Sequence, residues 1–563
     1  MTPIQHFESE HPCRRNVVLV MMVWLAAAII AMHIAILSLA AVTTTWNEFG
    51  LQDDVVPLEG EIIYLARRAQ RSEPVYLDYR TIPFVPAAYG PLAYYAIGWI
   101  GRWGNSDALG LYTIGRAMSL AASVGTVILL WIATPPMANR WKYLSKLLAV
   151  GVFLVGMCPF EIGGGSLVPM HMAATARPDA SGVLLGLAGC LLASRGRALW
   201  AVPFFVTATL FKHVYVAGAV ATLMWLFLRG EKRNFKNFAV AWAAAEAVVW
   251  SLVVGLCGRP LLLNLTMFGH VPWAWDTAPM NLWGLRATFA IPLAAAVLHW
   301  HAQARTRTWD IPAVYALLTF LAGFVTISKV GGACNHFLEF VVAAAWCAGV
   351  SAARLSATWR GQTYAARTAQ HDDDGTESHA TGRRVVLAPV VCFLAAGLVS
   401  VYSSRHTYQV YIQKAPQRLS ELAGWHSGAS DSNAVIPEAV FYQMVLAGRF
   451  RGPLLTSDAR LSALSDKEPI ALDWLIWATL VEQGIVDLEP VLARVRAHEF
   501  ELVVLHFDPS WPTQIAWGAP AWPPRLTETI RDHYVLKQVI GRFHILWPKS
   551  PNDTNYPTTT GTK

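Results

Sequence analysis

The sequence predicts a mainly α-helical protein, a polytopic transmembrane bundle with a small α/β domain outside the membrane at its C-terminal end. Three observations predict this class. Hydrophobic residues make up 54% of the 563 residues and charged residues only 14%, against about a quarter in soluble domains. Long apolar runs recur between residues 17 and 401, and the mean hydropathy is +0.37. Beyond residue 404 hydropathy falls, and short alternating runs replace the long ones.

About 11 apolar runs are predicted to cross the bilayer. The first, residues 17–42, follows Arg14 and Arg15 and predicts a signal anchor behind a cytoplasmic N-terminus, residues 1–16. The other runs are residues 111–134, 147–160, 182–193, 199–211, 214–228, 238–256, 285–300, 311–327, 337–350 and 385–401. Loops rich in Lys and Arg all fall on one side, which indicates a multi-pass protein of the plasma (inner) membrane.

The net charge of +7 does not indicate a nucleic-acid partner, because Lys and Arg cluster at the ends of apolar runs. The predicted partner is the lipid bilayer. Seven cysteines contain no CxxC pair, and they do not indicate a compartment. The run Asp372, Asp373 and Asp374 lies in a polar loop on the cytoplasmic side, where a solvated charge run is favoured over a metal site.

The segments outside the membrane follow from the same pattern. Residues 43–92 form an acidic first outer loop, in which residues 61–69 predict a short amphipathic helix, and residues 89–103 predict a helix in the outer leaflet. Residues 17–404 form the membrane domain, in which residues 258–283 are expected to form an outer loop rich in Trp and Pro. Residues 405–549 predict an extracytoplasmic α/β domain with a helix at 488–498, a buried strand at 500–507 and an edge hairpin at 534–547; residues 550–563 predict a disordered tail.

Ionisable residues converge on the outer side of this topology, each at or near the end of an apolar run. Buried charges at such depth are costly unless paired or hydrated, so they predict a shared polar cavity. Simpler interpretations remain: Lys212 could snorkel, Arg177 and Asp179 could begin a helix, and Glu339 could pair with Lys329. The converging residues are Glu59, Glu61, Arg177, Asp179, Lys212, His213, Lys329, His336 and Glu339.

Several motifs resemble those of the GT-C superfamily of polyprenyl-phosphate-dependent glycosyltransferases. The likeness is to its family 39-like branch, with the protein O-mannosyltransferases and the aminoarabinose lipid A transferases. The motifs cover most of the membrane region in the family's order. They are EGEIIYLARRA (59–69), AYGPLAYY (88–95), GRAMSL (115–120), ARPDA (176–180), FKH (211–213) and KVGGACNHFLEF (329–340).

The resemblance implies roles for individual residues. The family carries Asp-Glu shortly before a Tyr in its first outer loop, and Glu61 and Tyr64 match that Glu and Tyr. Gly60 stands where the Asp would be, so either Glu59 or Glu61 could be the base. The two lie about 200° apart on a helix. Glu61 is favoured, because it shares the membrane-facing side with Tyr64 and Leu65, whereas Glu59 sits just before the helix and could instead cap its first turn. Asp179 resembles the second outer acid. Donor-phosphate binding is expected of Lys212, His213, Arg177 and Lys329, and substrate binding of Tyr64, Tyr89, Asn335, His336 and Glu339.

The function predicted is transfer of one sugar from a polyprenyl-phosphate donor to an extracytoplasmic lipid, glycan or protein acceptor, by inverting displacement. A loop carboxylate would act as base and fixed cations would neutralise the leaving phosphate, so the scheme requires neither a metal nor a cofactor. The alternative is a transporter or flippase of lipid-linked sugars. Such transporters often show repeated halves, and no internal repeat is visible in this sequence.

Overall fold

A computed structural model describes residues 12–49, 58–137, 142–157, 173, 175–275, 278–329, 334–369, 394–404, 452–465, 467–507, 515–516, 519–520, 522–540 and 543–550. It is mainly helical, with several long apolar helices and a small sheet near the C-terminus. This confirms the predicted fold class. The predicted domain boundary at residue 405 lies outside the described residues, as does the predicted tail 550–563 apart from residue 550.

The helices of the N-terminal two thirds follow the apolar runs. Their bounds are α1 Pro12–Phe49, α2 Glu59–Gln70, α3 Pro91–Trp103, α4 Ala108–Ala133, α5 Leu144–Gly156, α6 Asp179–Ser194, α7 Ala198–Phe211, α8 Ala217–Leu228, α9 Lys232–Cys257, α10 Arg259–Met267, α11 Ala278–Thr306, α12 Ile311–Thr326 and α13 Leu338–Ala369. A 3₁₀ turn, Cys334–Phe337, precedes α13, and a further apolar helix, α14, covers Leu394–Ser403.

Among the described residues, three helices are long and apolar enough to cross a membrane, and seven shorter apolar helices accompany them. The chain is a multi-pass membrane protein. The segment 258–283, expected as a loop, instead contains α10 and the start of α11. Gly258 explains the break, because its positive φ of 74° ends α9, and Pro260 in the first turn of α10 favours the start of a new helix.

The first outer loop contains α2, as predicted, and α2 is buried along nearly its whole length. Ile62, Ile63 and Leu65 are fully buried, although they point to different sides of the helix. The helix is therefore enclosed by protein on several sides. This burial fixes the position and direction of the two acids that α2 carries, Glu59 and Glu61.

A four-stranded sheet lies near the C-terminus in the order β1–β2–β6–β5. The first two strands are parallel and the other pairs antiparallel. All residues of β2 are buried, and the hairpin forms the sheet edge, so the predicted strand and edge hairpin are confirmed. The strands are β1 Leu454–Thr456, β2 Leu502–Leu505, β5 Tyr534–Ile540 and β6 Phe543–Pro548, with a separate pair, β3 Ile515–Ala516 and β4 Ala519–Pro520. The helices are α15 Ala459–Ser465, α16 Trp474–Glu482, α17 Glu489–Arg496 and α18 Pro524–His533.

The sheet region is joined to the first outer loop by backbone hydrogen bonds. The Phe84 N–H donates to the carbonyl of Ile470 at 2.8 Å, and the Leu472 N–H donates to the carbonyl of Phe84 at 3.0 Å. A side-chain bond adds to them, because Arg67 Nη1 donates to the Ala463 carbonyl at 2.7 Å. The loop that carries the candidate acids is therefore held between the membrane helices and the sheet.

Candidate active site

Glu59 is held in a buried ion pair. Its carboxylate accepts from Arg116 Nε at 3.1 Å and Arg116 Nη2 at 2.9 Å, and from the Ala176 N–H at 2.6 Å. The two side chains are 0% and 2% exposed. Glu59 thus links α2 to α4 and to the segment before α6. The sequence suggested that Glu59 could cap α2, but the cap position is Leu58 and the carboxylate points to Arg116.

Glu61 is equally buried, but its surroundings are different. One carboxylate oxygen, Oε2, has no hydrogen-bond partner among the described residues. Burial raises the pKa of Glu61 well above its usual range; the charge of Asp473 raises it further, and that of Arg177 opposes the shift. A buried carboxyl group with an unoccupied oxygen and a high proton affinity has the properties of a general base.

Gly60 separates these two acids for a steric reason. A Cβ atom at Gly60 would lie 2.4 Å from the backbone nitrogen of Arg460 and 2.7 Å from the carbonyl carbon of Ala459. No side chain fits there unless α15 moves. The absence of an acid at this position, a departure from the resembling family, follows from the close approach of the sheet region to α2.

Asp473 is the acid of the sheet region that acts on Glu61, and the sequence did not indicate it. It stands before α16, where its Oδ1 accepts from the Ile476 N–H at 3.0 Å and caps the helix. Burial raises the pKa of Asp473 to about 6. Asp473 as a whole is only partly buried, so part of it remains open to solvent or a ligand. Asp473 reaches the site because its neighbour Leu472 pairs with Phe84 of the first outer loop.

A second cluster surrounds Asp179, the first residue of α6. Its Oδ1 accepts from Lys212 Nζ at 2.8 Å, Tyr215 OH at 3.0 Å and Asn335 Nδ2 at 3.2 Å. Its Oδ2 accepts from Arg177 Nε at 3.1 Å. The structure thus brings together three of the ionisable residues that the sequence predicted on one side, Arg177, Asp179 and Lys212, with two cations sharing one acid.

Tyr89 connects the Asp179 cluster to the first outer loop. Its hydroxyl accepts from Arg177 Nη2 at 2.9 Å, and the ring lies 5.6 Å from Lys212 Nζ. Its backbone is held by two other tyrosines, since Tyr76 OH donates to the Tyr89 carbonyl and the Tyr89 N–H donates to Tyr94 OH. Arg177 therefore lies between the Asp179 cluster and the surroundings of Glu61, with a fixed orientation.

The other predicted residues lie at different distances from this centre. Glu339 accepts from Tyr315 OH at 2.9 Å, and His336 lies within electrostatic range of Lys212 and Asp179. His213 follows Lys212, its buried Nδ1 has no partner among the described residues, and burial lowers its pKa to about 4. Tyr64 lies on α2 and is nine-tenths buried.

Lys329 is placed apart from the Asp179 cluster. Its Nζ donates to the Phe268 carbonyl at 2.5 Å and lies 4.9 Å from the centre of the Trp273 ring. No hydrogen bond or ion pair joins it to the cluster within the described part of the chain. As for metals, the described residues contain no group of three or more His, Cys, Asp or Glu side chains placed to hold an ion.

Comparison with known proteins identifies the class of fold. No protein-family model and no curated protein sequence matches this chain. Among solved structures, ArnT from Cupriavidus metallidurans bound to undecaprenyl phosphate is similar with a TM-score of 0.50 at 13% identity, covering 91% of this chain and 97% of that chain. The apo oligosaccharyltransferase of Archaeoglobus fulgidus is similar with a TM-score of 0.50 at 12% identity, covering 94% and 75%. Both are GT-C proteins, so the resemblance predicted from the motifs is confirmed for the fold.

Proposed function

We propose that this chain is an integral membrane glycosyltransferase of GT-C type. It transfers a single sugar from a polyprenyl-phosphate donor to an acceptor outside the membrane. The observation that carries this proposal is the buried carboxylate oxygen of Glu61, which has no hydrogen-bond partner in the described part of the chain and lies close enough to Arg177 for their charges to interact. The similarity to a GT-C structure that binds undecaprenyl phosphate supports the class of donor.

The reaction is a single displacement at the anomeric carbon. The acceptor hydroxyl oxygen forms the new bond to that carbon, and the bond between the carbon and the phosphate oxygen breaks with inversion. Glu61 takes the hydroxyl proton, for which its raised pKa suits it. The polyprenyl phosphate leaves with the bonding electron pair, and no covalent intermediate with the protein is required.

Lys212 and Arg177 stabilise the departing phosphate. Asp179 neutralises one of these two charges, so the cluster keeps about one positive charge and a fixed geometry. Fixed donors that need no reorganisation are the most effective stabilisers of charge in a transition state. Asn335 holds the same acid from the start of the α13 region. We propose that Tyr89, Tyr64, His336 and Glu339 line the substrate site around this pair.

The proposed orientation has the N-terminus and the basic ends of α6 and α8 in the cytoplasm, and the sheet outside. The distribution of Lys and Arg supports it. We further propose that residues 405–549 form a separate extracytoplasmic domain. Reporter fusions after Asp78 and Ser457 should lie outside and a fusion after Arg197 inside; a cytoplasmic Ser457 would contradict the scheme.

The decisive experiment incubates the purified full-length protein with labelled polyprenyl-phosphate sugars and a mixture of candidate acceptors. Wild-type protein should release polyprenyl phosphate, and Glu61→Gln should not. Glu73→Gln is the matched control, because Glu73 lies in the same loop, its side chain is 40% exposed and it pairs with Arg68. Movement of intact lipid-linked sugar across vesicles, without bond cleavage, would instead identify a flippase.

A further inference from the structure

A cavity of about 470 Å³ opens at the end of the bundle opposite the candidate active site. It lies between the α6–α7 connection and the α8–α9 connection. The 16-residue helix α6 starts at Asp179 in the site and ends at the cavity, so the two are about 24 Å apart. The polar residues that line it are Ser194, Arg197, Arg229, Glu231, Asn234 and Asn237.

The cavity lies in a strongly basic part of the surface. Besides the two arginines in its wall, four exposed cations, Arg195, Lys232, Arg233 and Lys236, flank it in sequence. Glu231 is the one acid in the lining. Basic residues near a membrane surface attract anionic lipid headgroups electrostatically. The charge of this surface therefore favours an anionic ligand.

Donor groups in the cavity are available for such a ligand. Arg197 is exposed, and its guanidinium forms no hydrogen bond or ion pair with any described residue. Arg229 Nε pairs with Glu231 at 2.8 Å and its guanidinium stacks 4.9 Å from the Trp225 ring. Asn234 Nδ2 also donates to Glu231, at 2.8 Å. An incoming phosphate could take both donors from Glu231.

The apolar rim of the cavity indicates where the rest of the ligand lies. Trp200 is 73% exposed and Leu199 is 53% exposed, and both line the cavity. Tryptophan near the end of a membrane helix is typical of the boundary between headgroups and acyl chains. A ligand that satisfies both halves of the cavity has a phosphate attached to a hydrocarbon chain.

We propose that this cavity binds the headgroup of an anionic phospholipid from the leaflet opposite the active site. Its phosphate contacts Arg197 and Arg229, and its acyl chains extend along Trp200 and Leu199. The site depends only on the membrane fold and not on the proposed reaction. It would fix the α6–α7 and α8–α9 connections, and hence the helices that carry Asp179 and Lys212 at their other ends.

The test is native mass spectrometry of the detergent-purified full-length protein with phosphatidylglycerol, with phosphatidylcholine and with inorganic phosphate. We expect one phosphatidylglycerol to bind more tightly than the rest. Arg197→Gln and Arg229→Gln should each weaken it about 10-fold or more, the loss of a charge-assisted contact. Lys236→Gln is the matched control, since Lys236 is exposed on α9 between two lining residues without lining the cavity.

Glu231→Gln should change the affinity in the opposite direction. It removes the competing acid and leaves an amide in its place, so binding should tighten about 5-fold. Equal losses in Lys236→Gln and the two arginine variants would show diffuse surface charge and overturn the proposal. So would equal binding of phosphatidylcholine, and displacement by inorganic phosphate at similar concentration would assign the cavity to a soluble phosphate instead. Unchanged melting of the lipid-free variants checks their folding.

Discussion

Glu59 and Glu61 lie two residues apart on α2, and a change to Gln should lower the stability of the protein at Glu59 and its turnover at Glu61. Glu59→Gln removes the charge that Arg116 faces across 2.9 Å, with both side chains almost completely excluded from solvent. Removing one partner of a buried ion pair costs about 3–5 kcal/mol, because the other charge stays buried and uncompensated. Glu61→Gln removes a charge that burial already disfavours, so we expect no loss of stability.

Two measurements on the same preparations separate these effects. Thermal unfolding in one detergent, followed by tryptophan fluorescence, should show a clearly lower midpoint for Glu59→Gln and an unchanged one for Glu61→Gln. Single-turnover assays with a labelled polyprenyl-phosphate sugar should show turnover about 10²- to 10⁴-fold lower for Glu61→Gln, with donor binding largely intact. Glu59→Gln should lose activity only as far as it loses folded protein.

A double variant tests the reason for the loss at Glu59. Glu59→Gln combined with Arg116→Gln leaves no buried charge, so it should recover part of the stability that either single variant loses. A stable, inactive Glu59→Gln together with an active Glu61→Gln would refute the assignment and move the base to Glu59. If both remain active, the first outer loop does not contain the base.

Three further outcomes are expected. Asp473→Asn keeps the helix cap but removes the negative charge that raises the pKa of Glu61. The acidic limb of the pH–rate profile rises as Glu61 loses its proton, so it should move to lower pH in this variant. An unmoved profile would limit Asp473 to capping the helix. Lys212→Ala should weaken donor binding about 10- to 150-fold. Lys329→Ala should weaken it less, because Lys329 contacts the Phe268 carbonyl and the Trp273 ring instead of the cluster. Equal losses for the two variants in a donor-binding titration would contradict this. Gly60→Asp should lower the melting midpoint, because its Cβ would meet the α15 backbone, and a midpoint equal to wild type would refute that close approach.

The membrane helices could be predicted from the sequence because a bilayer imposes one strong rule, a long apolar run, and charges mark its ends. The short helix α2 also followed from its pattern, as did the edge hairpin. Helix α10 was missed, since the Pro and Trp content of its segment is typical of a loop. The signal that could have found it is Gly258 followed two positions later by Pro260, a helix end and a helix start.

The site was predicted only in part, because partners far apart in sequence are not visible from it. Glu59 and Arg116 are separated by 57 positions, and nothing in the motif GRAMSL shows that its arginine binds a particular acid. Asp473 reaches Glu61 through a bridge between Phe84 and Ala471, which no local pattern reveals. Lys329 lies at the end of an apolar run, as the other cations do, but Trp273 and the Phe268 carbonyl hold it elsewhere.

Asp179 is less suited than Glu61 to act as the general base. Its two oxygens accept four hydrogen bonds, two of them from cations, and each bond stabilises the charged form at the expense of proton uptake. A carboxylate so fully occupied is a poor proton acceptor and a good anchor for Lys212 and Arg177. Glu61 has the complementary surroundings: burial and an acid raise its proton affinity, and one of its oxygens accepts no hydrogen bond from any residue that the structure describes. We therefore propose that the two acids divide the work: Asp179 orients the cations that receive the leaving phosphate, and Glu61 receives the proton.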